Sequence, residues 1–144
     1  QIALVLQCAE LVGILDSVLG FTTQWLNDRH SFGRPLASYQ ALKHRAADMK
    51  MWAEACRGTT AAAVRAVADR SADAKLLASV AKAYVAERVP VILQDCVQLH
   101  GGIGVTWEHD LHVYLRRVIL YRAMFGSPEH HHRAVYALSR KSQR

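Results

Sequence analysis

Apolar residues recur along this chain at intervals of three and four, the spacing of one helical face, and no useful stretch alternates with period two. Between residues 2 and 27, Ile2, Val5, Leu6, Ala9, Val12, Val18 and Leu19 fall on one broad face and predict a first long helix. Residues 28–36 then carry Gly33 and Pro35 in a polar, basic setting, and both break helical propagation, so a loop is predicted there. Ser38 has the side chain to cap a second helix, in which Leu42, Ala46, Met49, Ala53 and Cys56 form a stripe while Lys43, Arg45, Asp48 and Glu54 mostly face outward. Gly58 and the two threonines after it mark a weak point, and the alanine-rich run 61–68 favours helix again. A junction around Asp69, Ser71 and Asp73 leads into a third helix through Leu76, Leu77, Val80, Tyr84 and Val91, kinked near its end by Pro90 and running to residue 99.

His100-Gly101-Gly102-Ile103-Gly104 is too rich in glycine for a helix interior, where each Gly costs about 1 kcal/mol relative to Ala. A short helix is predicted over residues 109–121, followed by a terminal helix with Ser127 at its N-cap and Pro128 at its first position. The expected fold is all-α: an antiparallel up-down four-helix bundle with one or two short extra helices, filling residues 1–144 as one domain.

Composition narrows the function classes. With 144 residues, 51% hydrophobic and 21% charged, the chain can bury a core of its own, and with 8 Gly and 3 Pro it is neither collagenous nor of low complexity. Cys8, Cys56 and Cys96 are odd in number and widely spaced, which offers neither a disulfide framework nor a CxxC zinc site and fits a reducing, cytoplasmic setting. Gln7, Glu10 and Asp16 interrupt the most hydrophobic stretch before it reaches the roughly 20 residues of a membrane span, so none is expected. The chain opens on Gln1 and reads as helix from the outset, the pattern expected of a piece of a longer polypeptide. Its formal charge of +6 attracts polyanions, whether nucleic acid, anionic lipid or phosphorylated ligands such as nucleotides and coenzyme A; no run of five basic residues chooses among them.

Two breaks in the helical pattern carry candidate chemistry. Arg29, Ser31, Phe32, Gly33 and Arg34 combine two guanidinium groups, which grip phosphate oxygens in a bidentate fork, with a glycine that lets backbone approach; a solvated basic turn has the same composition. In Gln98 to Gly104, three of the last four positions lack a Cβ, so a planar ring or a diphosphate has room against the backbone, although tight turns between helices use glycine too.

Taken together, Asp28-Arg29-His30-Ser31-Phe32-Gly33-Arg34-Pro35-Leu36-Ala37-Ser38-Tyr39-Gln40 and Gln98-Leu99-His100-Gly101-Gly102-Ile103-Gly104 closely resemble the carboxy-terminal domain of the acyl-CoA dehydrogenase family, and the resemblance extends over nearly the entire chain. Members of that family are flavoproteins with an amino-terminal helical domain, a middle β-domain and this bundle, through which they usually form tetramers. The resemblance implies FAD as cofactor and acyl-CoA as substrate of the full enzyme. It implies that Arg29 and Gln40 reach the diphosphate and ADP part of an FAD bound mainly by a neighbouring subunit, that Phe32 accompanies them, and that Gln98, Gly101 and Gly102 line the same dinucleotide.

The departures matter as much. Dehydrogenation between the α and β carbons requires a carboxylate that removes the α-proton while flavin accepts hydride. Where most members carry that Glu, this chain has Phe125; where a minority carry it, near the start of the first bundle helix, it has Ala3, followed by Leu4 in place of a frequent Arg. The pattern resembles the non-catalytic subunit of heterotetrameric acyl-CoA dehydrogenases, associated with steroid side-chain degradation in actinobacteria, in which a partner chain supplies the base. The expected function is therefore an FAD-binding, oligomerising domain of an oxidoreductase, inactive alone, with no residue of its own in the base role. Two other readings stand beside it: an active dehydrogenase with a relocated base, for which Glu129 is the nearest carboxylate in sequence, and a flavin-free structural or nucleic-acid-binding bundle, which the joint presence of Arg29, Gln40, Gly101 and Gly102 argues against.

Other polar clusters have simpler readings. Consecutive helical positions point about 100° apart, so His130, His131 and His132 cannot converge on one metal ion and read as a polar helix surface. Glu108, His109 and His112 lack the HExxH order, and capping or ion pairing accounts for them. Glu129, in a first helical turn, serves the helix dipole. Trp25, Trp52 and Tyr84 read as core or interface residues, and Cys96 as an inert buried thiol.

Overall fold

The computed structural model describes residues 1–142. Three long helices, α1 (Ile2–Asp28), α2 (Gln40–Ala68) and α3 (Ala74–His100), pack against one another, and α3 also carries α4 (Leu111–Ala123) and α5 (Pro128–Ser142). The helical bundle expected from the periodicity is present, with α3 at its centre. That position explains its composition. Ala78, Ala81, Val85, Val89, Ile92, Leu93 and Cys96 are buried on α3, and the small side chains among them let neighbours approach on several sides. Leu76, Leu77, Val80, Tyr84 and Val91, the larger apolar residues that mark the helix in sequence, lie at its partly buried or exposed margin. Pro90 sits inside α3 without ending it.

On α1 the buried stripe is Val5, Cys8, Leu11, Leu15, Val18, Thr22 and Leu26. Ile2, Leu6 and Ala9, expected on the buried face, are exposed instead, because a second apolar stripe runs beside the first and only one can face α2 and α3. By length and composition alone α1 is long and apolar enough to cross a membrane, and Gln7, Glu10 and Asp16 do not interrupt it enough to exclude a span. These three polar residues tie α1 to its neighbours. Gln7 accepts a hydrogen bond from Lys82 of α3, Glu10 is bound by Arg117 of α4, and Asp16 by Arg57 of α2.

The second helix buries the stripe that its spacing predicts, Met49, Ala53 and Cys56 continued by Thr60, Ala63 and Ala66, and runs through Gly58 without a break. Its start differs from expectation. Ser38 lies in a 3-10 turn, Leu36–Ser38, where its hydroxyl donates to the Pro35 carbonyl at 2.7 Å, and Tyr39 holds the N-cap position without a capping side chain. At the other end of the molecule, Ser127 accepts a hydrogen bond from the His130 amide at 3.3 Å and caps α5 as predicted.

Candidate functional site

The first break in the helical pattern is a small hairpin rather than an irregular loop. His30–Ser31 pairs antiparallel with Arg34–Pro35 across a two-residue turn in which Phe32 has φ +51° and Gly33 φ +78°. Positive φ at both central residues is the geometry that matches the twist of paired strands, and glycine adopts it freely whereas phenylalanine is strained by it. Phe32 is nevertheless held there with 96% of its surface exposed. Arg29 terminates α1 in extended backbone; its amide donates to the Trp25 carbonyl at 2.9 Å, and its own carbonyl accepts from the Leu36 amide at 2.8 Å. The Tyr39 hydroxyl donates to the Ser31 carbonyl at 2.8 Å and fixes the hairpin to the start of α2.

The glycine segment follows the end of α3. Gly101 has φ +65°, and a Cβ built on it or on Gly102 meets nothing within 4 Å, so the backbone there faces open space. Gly104 differs, because a Cβ at that position would lie 2.6 Å from the Val97 carbonyl oxygen; its task is close packing. Between hairpin and glycine segment lies a cleft of about 670 Å³, lined by Trp25, Arg29, His30, Ser31, Arg45, Gln98, His100, Gly101 and Gly102 among others.

Four of the six residues singled out by sequence, Arg29, Gln98, Gly101 and Gly102, thus meet in one cleft. The other two stand outside its lining. Phe32 projects from the hairpin tip, and the Gln40 amide lies 3.2 Å from His44 Nε2 on the exposed start of α2. Arg34, the second guanidinium of the motif, lies over the Tyr39 ring at 3.9 Å from its centroid. The cleft also contains residues to which sequence gave no cofactor role. His100 donates through Nδ1 to the Cys96 carbonyl at 2.8 Å, stacks on Trp25 with 5.3 Å between ring centroids, and packs edge-on against His109 with 4.7 Å between centroids. Burial holds its pKa below the ordinary histidine value, with the Cys96 carbonyl opposing that shift and His109 adding to it, so the ring is neutral near pH 7. The Arg29 guanidinium lies 5.9 Å from the centre of the Trp25 ring, close enough for a cation–π contact.

A second, smaller pocket of about 260 Å³ is lined by Ala3, Leu6, Gln7, Glu10, Tyr121, Met124 and Phe125. Ala3 and Phe125, the two positions that the resemblance marks as alternative places for a base, therefore face one pocket from opposite ends of the chain. Phe125 has φ +59°, another strained non-glycine position, and Gly126 follows at φ +104°. Two buried groups hold this corner. Lys82, fully buried, donates to the Gln7 side-chain oxygen and to the Tyr121 carbonyl, while His131 donates through Nε2 to the Phe125 carbonyl at 2.9 Å. Desolvation lowers the pKa of both. His131 is thus not part of a polar surface as its triplet implied; of its neighbours, His132 reaches Glu87 at 3.2 Å and His130 packs edge-on against His131.

Among the described residues, Glu10 is the one carboxylate lining this pocket. It accepts from the Tyr121 hydroxyl at 2.6 Å and from Arg117 at 3.0 Å, and these hydrogen bonds, that of Tyr121 first, hold its pKa below the ordinary carboxylate value. Such a clamp makes a weak proton acceptor. Glu129 lines a separate pocket with Ile119, Arg122 and Ala123, and its carboxylate accepts from Arg122 at 3.4 Å. Elsewhere, His109 Nδ1 accepts from the Leu111 amide at 3.2 Å, which caps α4, and His112 donates to the His109 carbonyl at 2.9 Å. Cys8, Cys56 and Cys96 are buried free thiols whose pKa values burial pushes up to about 11, 12 and 11, so none is a ready nucleophile.

Comparison with known proteins agrees with this geometry. Residues 5–138 match the family described as acyl-CoA dehydrogenase, C-terminal domain. Acyl-CoA dehydrogenase IpdE2 of Mycobacterium tuberculosis is 40% identical over 126 residues, covering 88% of this chain and 38% of that protein. Acyl-CoA dehydrogenase FadE34 of the same organism is 35% identical over 145 residues, covering 100% of this chain and 20% of that protein. The chain thus spans well under half the length of these relatives. Among solved structures, a variant of the Tcur3481-Tcur3483 steroid ACAD superposes with a TM-score of 0.91 at 30% identity, over 98% of this chain and 39% of that one. Butyryl-CoA dehydrogenase from Megasphaera elsdenii, at 23% identity and a TM-score of 0.89 over 94% of this chain and 35% of that one, has the same fold. The family match over most of the chain, the helical fold and the two loops that meet in the cleft lead to one assignment: the chain belongs to the acyl-CoA dehydrogenase family, as its C-terminal helical domain.

Proposed function

We propose that this domain binds FAD in the cleft between hairpin and glycine segment, and that it belongs to a subunit lacking its own base, which works beside a catalytic partner in a hetero-oligomer. The observation that carries the reading is the meeting of Arg29, Gln98, Gly101 and Gly102 in one cleft while Ala3 and Phe125, at the positions that the resemblance marks for a base, share another pocket with no free carboxylate among the described residues. The donor set fits a dinucleotide. Arg29 offers a fork to a diphosphate, Gln98 an amide, and Gly101 and Gly102 a backbone that no side chain screens.

FAD, when bound, supplies the hydride acceptor for oxidation of an acyl-CoA thioester. This chain's residues hold and orient the dinucleotide, and the α-proton goes to a carboxylate of the partner, because Glu10 is already held by Arg117 and Tyr121 and Glu129 is turned into another pocket. Similarity to a steroid ACAD at 30% identity favours a bulky ring-bearing thioester as substrate of the assembled enzyme. The three unpaired thiols favour a reducing, cytoplasmic setting.

Flavin content of the full-length protein, purified with whatever chain accompanies it, tests the reading. Wild type is expected to retain a visible flavin band through gel filtration, and Arg29→Gln to lose most of it with its melting temperature kept. Equal flavin in both, or none in either, would overturn the assignment of the cleft.

A further inference from the structure

The cleft contains a second guanidinium outside both sequence motifs. Arg45 projects from α2 and lines the cleft together with Arg29. Its Nη2 is ion-paired with the Asp95 carboxylate of α3, and no other hydrogen bond engages it among the described residues. Its side chain remains 44% exposed while that of Asp95 is 22% exposed, so the pair is anchored on its acidic side and open on its basic side.

An isolated surface ion pair contributes little to stability, since solvent screens it and two long side chains lose freedom in making it. The arrangement has a different consequence for a ligand. A guanidinium carries its donors in a rigid fork, and a carboxylate that takes one terminal nitrogen leaves the others directed elsewhere with much of the ordering cost already met. Arg29 is fixed at the end of α1 by its backbone, and Arg45 by Asp95, so the cleft presents two positioned cations beside the bare backbone of Gly101 and Gly102. One phosphate needs one such fork; two linked phosphates suit two.

We infer that Arg45, oriented by Asp95, is the second anion contact of the cleft and gives it a preference for diphosphate over monophosphate ligands. The inference rests on the reading of the cleft as a dinucleotide site and adds to it a residue and a selectivity.

The test is equilibrium binding to the full-length protein stripped of flavin, with FAD, ADP and AMP as probes at low and high salt. Wild type is expected to bind ADP more tightly than AMP. Arg45→Gln should weaken FAD and ADP about tenfold, the loss of one charge-assisted contact, erase the preference over AMP, and flatten the salt dependence. Arg45→Lys should recover part of the affinity, because it restores charge without the fork. Asp95→Asn, which keeps the arginine, should weaken binding less than Arg45→Gln, and it also separates loss of the ion pair from loss of the anion contact if Arg45→Gln folds poorly. Unchanged ADP-over-AMP preference in folded Arg45→Gln protein, with binding lost in Arg29→Gln, would reduce Arg45 to a surface ion pair, and wild-type FAD and ADP affinity in Asp95→Asn would overturn the orienting role given to that carboxylate. Absence of FAD and ADP binding by wild type would instead overturn the reading of the cleft itself and this inference with it.

Discussion

The cleft at the end of α3 and the pocket at the end of α4 are built on opposite terms. In the cleft, Arg29 and Arg45 keep exposed donors, Gly101 and Gly102 keep bare backbone, and Phe32 stands strained in solvent. In the pocket, the two positions that the family resemblance marks for a base hold Ala3 and Phe125, and the nearby charges are already satisfied: Glu10 by Arg117 and Tyr121, Lys82 by Gln7 and the Tyr121 carbonyl. Exposed unspent donors belong to a region that meets something outside the chain, whereas internally paired charges belong to one that holds itself together.

The largest expected effect is on the self-sufficient side. Lys82→Ala leaves the buried Tyr121 carbonyl and the Gln7 oxygen without their donor and should cost about 3 kcal/mol in a urea titration. A loss within error of zero would show that water replaces the ammonium and that the pocket is open rather than braced. Gly101→Ala acts on the other side: forcing a Cβ into φ +65° should cost about 1–2 kcal/mol and also deplete flavin, while a variant that keeps its flavin would remove Gly101 from the cleft's role.

An acid titration reaches both regions at once. Burial depresses the pKa of His100 beneath the cleft and of His131 beneath the pocket, so between the folded values and 6.5 the unfolded chain binds more protons than the folded one. Stability is then complete above pH 6.5 and is lost as pH falls through the folded values; the double variant His100→Gln, His131→Gln should show a flatter acid limb in thermal melts followed by circular dichroism. Phe32→Gly separates strain from use. It should raise stability by up to about 1 kcal/mol, because glycine accepts the turn geometry, while lowering flavin affinity. Gained stability with unchanged affinity would leave the exposed ring without a role. The smallest effect is expected of Glu10→Gln, an exposed clamp outside the chemistry: a slight fall in melting temperature and no change in turnover of the assembled enzyme.

What could be read from sequence follows the same division. The hairpin residues from Arg29 onward and the Gly101-Gly102 segment are contiguous motifs, so the cleft's two walls were legible; Trp25, read as core or interface, Arg45, read as outward-facing, and His100 come from helices that meet there only in the fold, and sequence gave none of them a place in the cleft. The stripe on α2 was legible because Met49, Ala53 and Cys56 repeat at helical spacing with charged residues between them. On α3 the largest apolar residues pointed to the margin, because a helix packed on several sides uses alanine where the contacts are closest. Gln7, Glu10 and Asp16 looked like breaks in an apolar run, since polarity in one helix says nothing of a partner on another. The meeting of Ala3 and Phe125 in one pocket is likewise a tertiary fact.

The proposed division between a binding cleft and a pocket without a base is tested most directly by exchange of the α-hydrogen of acyl-CoA thioesters in deuterium oxide, from butyryl-CoA to a steroid-ring acyl-CoA. The full-length subunit, supplied with FAD, would be measured alone and together with the chain that co-purifies with it. No exchange by the subunit alone, whether or not it retains flavin without its neighbour, and exchange once the partner is present, is the predicted result. Exchange by the subunit alone would contradict it and return a base to this chain.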